Sequence, residues 1–279
     1  MSISHITLNT GAVMPALGLG TWRMGEYATK RKQEIATLRH GLDRGLTLID
    51  TAEMYGDGGA EEVVGAAIRG IRDSVFLVSK VFPWNASQRG TIAACERSLK
   101  RLGTSMIDLY LLHWRGEHPL ADTVAAMSRL QRGGKIRMWG VSNFDTDDMQ
   151  ELLALPDGNH CVANQVYYNL AKRWPEATLL PLQQQAGVVT MAYSPLDQGR
   201  LTHHPGLVDF ARKIAATPAQ VAIAWLLAQQ RVTAIPMTSR TEGVDEILRA
   251  PQLQLSASDL DALGAAFPGP APGASMETT

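Results

Sequence analysis

A chain of 279 residues can bury a large core, and 45% hydrophobic with 19% charged residues is an ordinary globular composition. Its 26 basic and 27 acidic residues are well mixed and leave a formal net charge of -1. That balance argues against a nucleic-acid footprint or a polybasic membrane patch and favours a small, weakly charged or neutral partner.

Cys95 and Cys161 are the only cysteines, without a CxxC neighbour or a histidine at ligand spacing, so no disulfide framework and no metal site is expected. The first nine residues lack a basic segment followed by an apolar core, and no window approaches the ~20 apolar residues of a membrane span. A soluble, cytoplasmic protein with no membrane partner is the expectation, and a monomer is the default state.

In chain order, a hairpin is expected first, from 3 to 8 and 13 to 15. Eight short apolar runs then read as strands at 16–19, 47–49, 76–78, 109–111, 137–141, 163–165, 188–192 and 232–235. Between them, 30–44, 60–69, 87–101, 120–131, 146–154, 177–185 and 218–229 carry apolar residues at helical spacing. Gly45, Gly70, Gly103 and Gly133 sit where helix C-caps are expected.

Strand ends at 50, 80, 113 and 142 recur about every thirty residues, one strand-helix-strand crossover each. This alternation, without a compositional break, predicts an α/β fold, a (β/α)8 TIM barrel with an N-terminal β-hairpin, as one domain over 1–279. The stretch 268–279 is rich in Pro, Gly, Ala and Ser and reads as a mobile tail. A doubly wound sheet fits less well, because Gly18-Leu19-Gly20-Thr21-Trp22-Arg23 lacks the third glycine of a phosphate loop.

Three strands deliver reactive side chains: Asp50 after Leu48-Ile49, Lys80 after Val78-Ser79, and His113 after Leu111-Leu112. Tyr55 follows five residues after Asp50. Each alone is explicable as a turn acid, a solvated lysine, a loop histidine or an uninformative tyrosine. Placed together at the C-terminal mouth of a barrel, they suit proton delivery to a reducible carbonyl. A phenol is a poor acid at neutral pH, and an adjacent Lys80 ammonium, fixed by Asp50, favours the phenolate and brings its pKa toward the working range. His113 can orient the substrate oxygen or assist protonation.

Further motifs give the chain a family resemblance. Gly18-Leu19-Gly20-Thr21-Trp22, Asp50-Thr51-Ala52-Glu53-Met54-Tyr55, Val78-Ser79-Lys80, Leu109-Tyr110-Leu111-Leu112-His113-Trp114, Gly140-Val141-Ser142-Asn143-Phe144 and Ala192-Tyr193-Ser194-Pro195-Leu196 occur in the order found in aldo-keto reductases. From about 3 to 267 the chain resembles that family, and most of all its short bacterial members that reduce methylglyoxal and other small aldehydes.

The resemblance implies a catalytic tetrad of Asp50, Tyr55, Lys80 and His113, with Tyr55 as general acid, and NADPH/NADP+ across the barrel mouth, NADH being the alternative. It implies cofactor contacts from Gly20, Thr21, Trp22 and Asp50, a carboxamide held by Ser142, Asn143 and Gln165, and a nicotinamide ring stacked on Tyr193. Amides and a hydroxyl that both donate and accept, and a tyrosine face, agree with those roles. By the same likeness Ser194, Leu196 and Gly199 pass the pyrophosphate and Glu246 contacts adenine.

Trp22, Trp84 and Trp114 follow strand ends and are expected to line a carbonyl-substrate pocket with Met54, Tyr55 and His113. Short loops such as 115–119, and the spare tail, suggest an open site of modest selectivity.

The phosphate end departs from the family pattern: Met237 stands where many relatives have lysine, and Gly243 where they have arginine. Arg240, with Thr238 and Ser239 at the start of the next helix, can still grip a 2'-phosphate, which favours NADPH over NADH. Two other functions fit the sequence less well. A nicotinamide-binding regulatory subunit fits poorly with an intact tetrad, and a metal-dependent barrel hydrolase would need acids or histidines where Ser142, Gln165 and Tyr193 stand.

Overall fold

In a computed structural model, residues 3–271 and 273–279 are described; Met1, Ser2 and, within the expected tail, Pro272 lie outside the described residues. The chain opens with β1 (His5–Thr7) and β2 (Val13–Pro15), an antiparallel hairpin. Eight parallel strands follow: β3 (Gly18–Gly20), β4 (Leu48–Asp50), β5 (Phe76–Val81), β6 (Ile107–Leu112), β7 (Ile136–Ser142), β8 (Cys161–Tyr167), β9 (Val189–Tyr193) and β10 (Val232–Ala234). They pair in sequence order from β3 to β10. The ring closes through bridges Leu17–Ala234 and Gly20–Met237, with Ala234 N–H donating to Ala16 O and Gly20 N–H to Pro236 O. A right-handed crossover helix after each strand yields this order, and the expected (β/α)8 barrel is what the chain forms.

The helices are α1 (Arg31–Asp43), α2 (Gly59–Ile68), α3 (Gln88–Leu102), α4 (Leu120–Arg132), α5 (Thr146–Ala154), α6 (Leu179–Gln185), α7 (Pro205–Lys213), α8 (Pro218–Leu227), α9 (Thr241–Arg249) and α10 (Ala257–Ala266). The helices α7 and α10 have no counterpart among the predicted elements, and α9 is expected only as the helix that starts at Arg240. Three of the four predicted stop glycines, Gly45, Gly70 and Gly103, adopt positive φ; in the fourth case Gly134 does so, and Gly133 keeps φ -80°. A left-handed residue at a helix end frees the last carbonyls to find partners, which glycine does without a Cβ clash.

Strand residues point alternately inward and outward, giving two apolar compartments. Leu48, Val78, Leu109, Leu111, Met138 and Met191 belong to the inner cluster, with Leu8 and Met14 of the hairpin packed into it. The larger cluster fills the space between strands and helices. Gly140 marks a register shift between β7 and β8, and a Cβ there would stand 2.3 Å from Ala163 O. Only glycine permits that approach, and the shift lies two residues before Ser142 at the barrel mouth.

Candidate active site

Asp50 ends β4, Lys80 lies near the end of β5, and His113 directly follows β6, so parallel pairing alone sets them side by side. Lys80 is fully buried. Its ammonium donates to Asp50 Oδ2 at 2.7 Å and to Thr51 O at 2.9 Å, and reaches the Tyr55 hydroxyl at 3.4 Å. The second Asp50 oxygen accepts from Gln165 Nε2 at 2.8 Å. Tyr55 opens a short turn after β4, and its ring lies edge-on to His113, 5.6 Å between centroids. The structure thus brings all four tetrad residues together.

Burial raises the Tyr55 pKa above its ordinary value; the Lys80 charge pulls it down and Asp50 pushes it up, and burial wins. The lowering expected from Lys80 is present but outweighed. Burial also works against the Lys80 ammonium, yet the Asp50 carboxylate, the Tyr55 phenol and the hydrogen bonds to both hold its pKa above the usual lysine value. His113 is held well below its ordinary pKa by burial and then by Lys80, so it is neutral near pH 7. Its Nδ1 is buried with no hydrogen-bond partner among the described residues.

Asp50, Tyr55 and His113 border a cavity of about 770 Å³ at the C-terminal mouth, with Lys80 buried behind them. Its wall includes Gly20, Trp22, Met54, Trp114, Ser142, Asn143, Gln165 and Tyr193, together with Ser194, Leu196 and Gly199. Asn143 is held in a left-handed conformation, φ 55°; its amide donates to His113 O at 3.1 Å and accepts from Tyr193 Oη at 2.9 Å. Ser142 Oγ donates to Gln165 O at 2.9 Å. The Tyr193 ring is backed by Tyr167, stacked at 5.5 Å and 3°. Tyr167 in turn donates to Asp197, which Arg200 pairs at 2.8 Å. One face of Tyr193 is therefore buttressed while the residue borders the cavity.

Several expected site residues stand elsewhere. Thr21 is buried behind the wall, bonding Asp50 O through both N–H and hydroxyl, and so supports the site rather than facing it. Trp84 is 67% exposed on a turn started by Pro83 and does not border the cavity; its ring meets Phe82, which meets Trp114. Trp84, expected in the substrate wall, thus stands outside the residues that border this cavity, on the turn that Pro83 opens.

Thr238, Ser239, Arg240 and Glu246 lie beyond the cavity. Ser239 O is fixed by Gln33 and Thr37 of α1, Thr238 Oγ1 accepts from Arg240 N–H, and Arg240 is exposed. A Cβ at Gly243 would stand 2.2 Å from Thr238 Oγ1, so the bare glycine lets the Thr238 turn rest on α9. Glu246 accepts from Thr217 at 2.7 Å.

Sequence reasoning missed Met276, Thr278 and Thr279, which border the cavity. Just before the tail, Arg173 donates to Phe267 O at 2.6 Å, and within it Glu277 pairs with Lys172. Thr279 reaches the Tyr193 hydroxyl. A composition poor in apolar periodicity carries no signal for such a path.

The cavity, the buttressed Tyr193 ring, the cluster of amides and hydroxyl, and the partnerless His113 Nδ1 fit a nicotinamide with its carboxamide. Comparison with known proteins agrees. The Aldo/keto reductase family model matches residues 16–266. Methylglyoxal reductase YeaE of Escherichia coli is 52% identical over 92% of both chains, and glyoxal reductase of Bacillus subtilis 35% identical over 93% of this chain and 91% of its own. An aldo/keto reductase from Klebsiella pneumoniae, solved in complex with NADP and acetate, superposes over 100% of both chains with TM-score 0.96 at 49% identity, and an aldo-keto reductase from Klebsiella pneumoniae solved with NADPH matches with the same values. By sequence, by fold and by the residues gathered at the barrel mouth, the chain belongs to the aldo/keto reductase family.

Proposed function

We propose that this NADP(H)-dependent oxidoreductase reduces small and aromatic aldehydes, and dicarbonyls of the methylglyoxal kind, to alcohols, with Tyr55 as general acid. The observation that carries this reading is the buried Asp50–Lys80–Tyr55 relay beside His113 on one cavity. The methylglyoxal and glyoxal reductases among the relatives support the substrate class, and the NADP and NADPH complexes of the Klebsiella reductases support the cofactor.

NADPH supplies the hydride that the carbonyl carbon receives. Negative charge then develops on the carbonyl oxygen, and the Tyr55 hydroxyl donates its proton there. Lys80, held by Asp50, stabilises the phenolate left behind. Neutral His113, hydrogen-bonding rather than charged, orients the oxygen. Ser142, Asn143 and Gln165 hold the carboxamide, Tyr193 carries the ring, and Ser194, Leu196 and Gly199 border the pyrophosphate. Arg240, exposed at the start of α9 beside Thr238 and Ser239, grips the 2'-phosphate. Trp22, Trp114 and Met54 give the pocket an apolar, partly aromatic wall suited to a flat carbonyl compound.

Replacing Tyr55 by Phe removes the acid and keeps the ring. Methylglyoxal reduction should fall by about 10²–10⁴ while NADPH still binds, read by steady-state NADPH consumption and by quenching of protein fluorescence. A near wild-type kcat would refute the assignment.

A further inference from the structure

Glu53 lies two residues before Tyr55 and has no part in the chemistry above, yet its side chain is only 8% exposed. Its Oε1 accepts from Phe82 N–H at 2.7 Å and from Asn85 Nδ2 at 3.0 Å; Oε2 lies 3.6 Å from Arg97 and 3.9 Å from Arg101. The Glu53 N–H donates to Lys80 O at 3.3 Å. One carboxylate from the Tyr55 turn thus grips the segment that follows Lys80.

Arg101 extends the arrangement to the other side of the lysine. Its Nε donates to the wholly buried Glu61 at 2.6 Å, and Glu61 accepts from Ser79 Oγ at 2.6 Å. The residues on both flanks of Lys80 are therefore held by two carboxylates that share a guanidinium, Glu53 through the Phe82 N–H and Glu61 through the Ser79 hydroxyl. Gly58 accommodates it: with φ +89°, a Cβ there would stand 2.6 Å from Arg101 Cδ. The Phe82 ring, held by the same grip, meets Trp114, which lies 5.0 Å from His113.

Within the relay the Lys80–Asp50 contact is short at 2.7 Å and the Lys80–Tyr55 contact long at 3.4 Å. Asp50 and Lys80 are fixed by neighbouring strands, so the long contact depends on where the turn carrying Tyr55 rests on β5. We propose that Glu53 is a positioning residue: tied through Arg101 to Glu61, it sets the separation of Tyr55 from Lys80. This rests on the reading of Tyr55 as the general acid.

The test compares Glu53→Ala and Glu53→Gln with wild type in methylglyoxal reduction by NADPH across the alkaline range, with kcat expressed per NADPH-binding site. The ionisable groups around the Tyr55 hydroxyl are Asp50 from β4, Lys80 from β5, His113 after β6 and Tyr193 from β9. Of these, Lys80 is the one whose approach Glu53 governs. Glu53→Ala should lower kcat about tenfold to a hundredfold, the scale of a misplaced reacting group, with KM changed less than about twofold. Its alkaline limb should move to higher pH, because a more distant ammonium no longer favours the phenolate.

Glu53→Gln keeps an acceptor for Phe82 N–H and should recover much of kcat, with a smaller shift of the limb in the same direction. An unmoved limb and wild-type kcat per site in either variant that folds, even with a lower Tm, would overturn the proposal. Tyr55→Phe separates the two readings: if it keeps its kcat, the general-acid assignment fails; if it is inactive while the Glu53 variants are unchanged, only the positioning role fails.

Discussion

Lys80→Met removes a cation from a site closed to solvent, and its cost follows from the contacts. The ammonium is fully buried and holds Asp50 at 2.7 Å and Thr51 O at 2.9 Å; Asp50 is 3% exposed, its other oxygen occupied by Gln165. Methionine fills a similar volume but leaves the carboxylate buried without its counter-charge, which costs about 3–5 kcal/mol. At about 2–4 °C per kcal/mol, Tm should fall by roughly 6–20 °C. Adding Asp50→Asn removes the stranded charge, so the double variant should regain more than half of the loss.

Urea and thermal unfolding followed by circular dichroism, with the four proteins forming a double-mutant cycle, measure both numbers. Because the folded pKa of Lys80 is raised, its contribution is complete below the ordinary lysine value of about 10.4 and is lost as pH rises through the folded value. At pH 7 the full difference should therefore be seen. A loss under about 1 kcal/mol, or a double variant no more stable than Lys80→Met, would refute the reasoning. Turnover separates from stability here, since both variants should have lost carbonyl reduction.

Arg240→Ala should lower kcat/KM for NADPH about tenfold to a hundredfold and leave that for NADH within about twofold, the scale of one charge-assisted contact. An unchanged ratio between the two cofactors removes Arg240 from the role. His113, with its pKa depressed by burial, should remain neutral from pH 6 to 8, so kcat/KM for methylglyoxal should show no histidine inflection there. Stability tied to this residue is present above the unfolded histidine value of about 6.5 and is lost as pH falls toward the depressed folded value. His113→Asn should flatten the acid side of the stability profile, and an unaltered profile would count against that source.

The barrel was legible because strands buried on both faces read as short apolar runs, and because amphipathic helices alternate with them. The cluster of Asp50, Tyr55, Lys80 and His113 was legible for a related reason, as polar residues stand out at the ends of such runs. The helix α10 carried a usable signal, Ser256 and Asp259 forming a capping box, but lies after the eighth strand where the alternation ends. Helix α7 has nine residues and shares one crossover with α8, so a one-helix-per-strand reading passes over it. Trp84 illustrates another limit: position after a strand does not fix direction once a proline turn intervenes. The cavity edge formed by Met276, Thr278 and Thr279 depends on contacts to Lys172 and Tyr193, far away along the chain and without any local periodicity to announce them. Net Tyr55 acidity depends on burial against charge, a balance that only packed neighbours decide.

The ring of strands has a seam. Along β6 and β7 five residue pairs are in register, whereas at the junction of β10 and β3 the described residues pair through two isolated bridges, at Leu17 and Gly20. Fewer cross-links mean a lower free energy of local opening, so amide protons at Gly20 and Ala234 should exchange ahead of those in the middle strands. This junction also joins the two most distant parts of the sheet in sequence, the costliest loop to close during folding. Gly20, Pro236 and Met237 border the cavity on either side of it. A molecule lying in the mouth spans both lips, and occupancy should slow exchange at the seam more than elsewhere in the barrel.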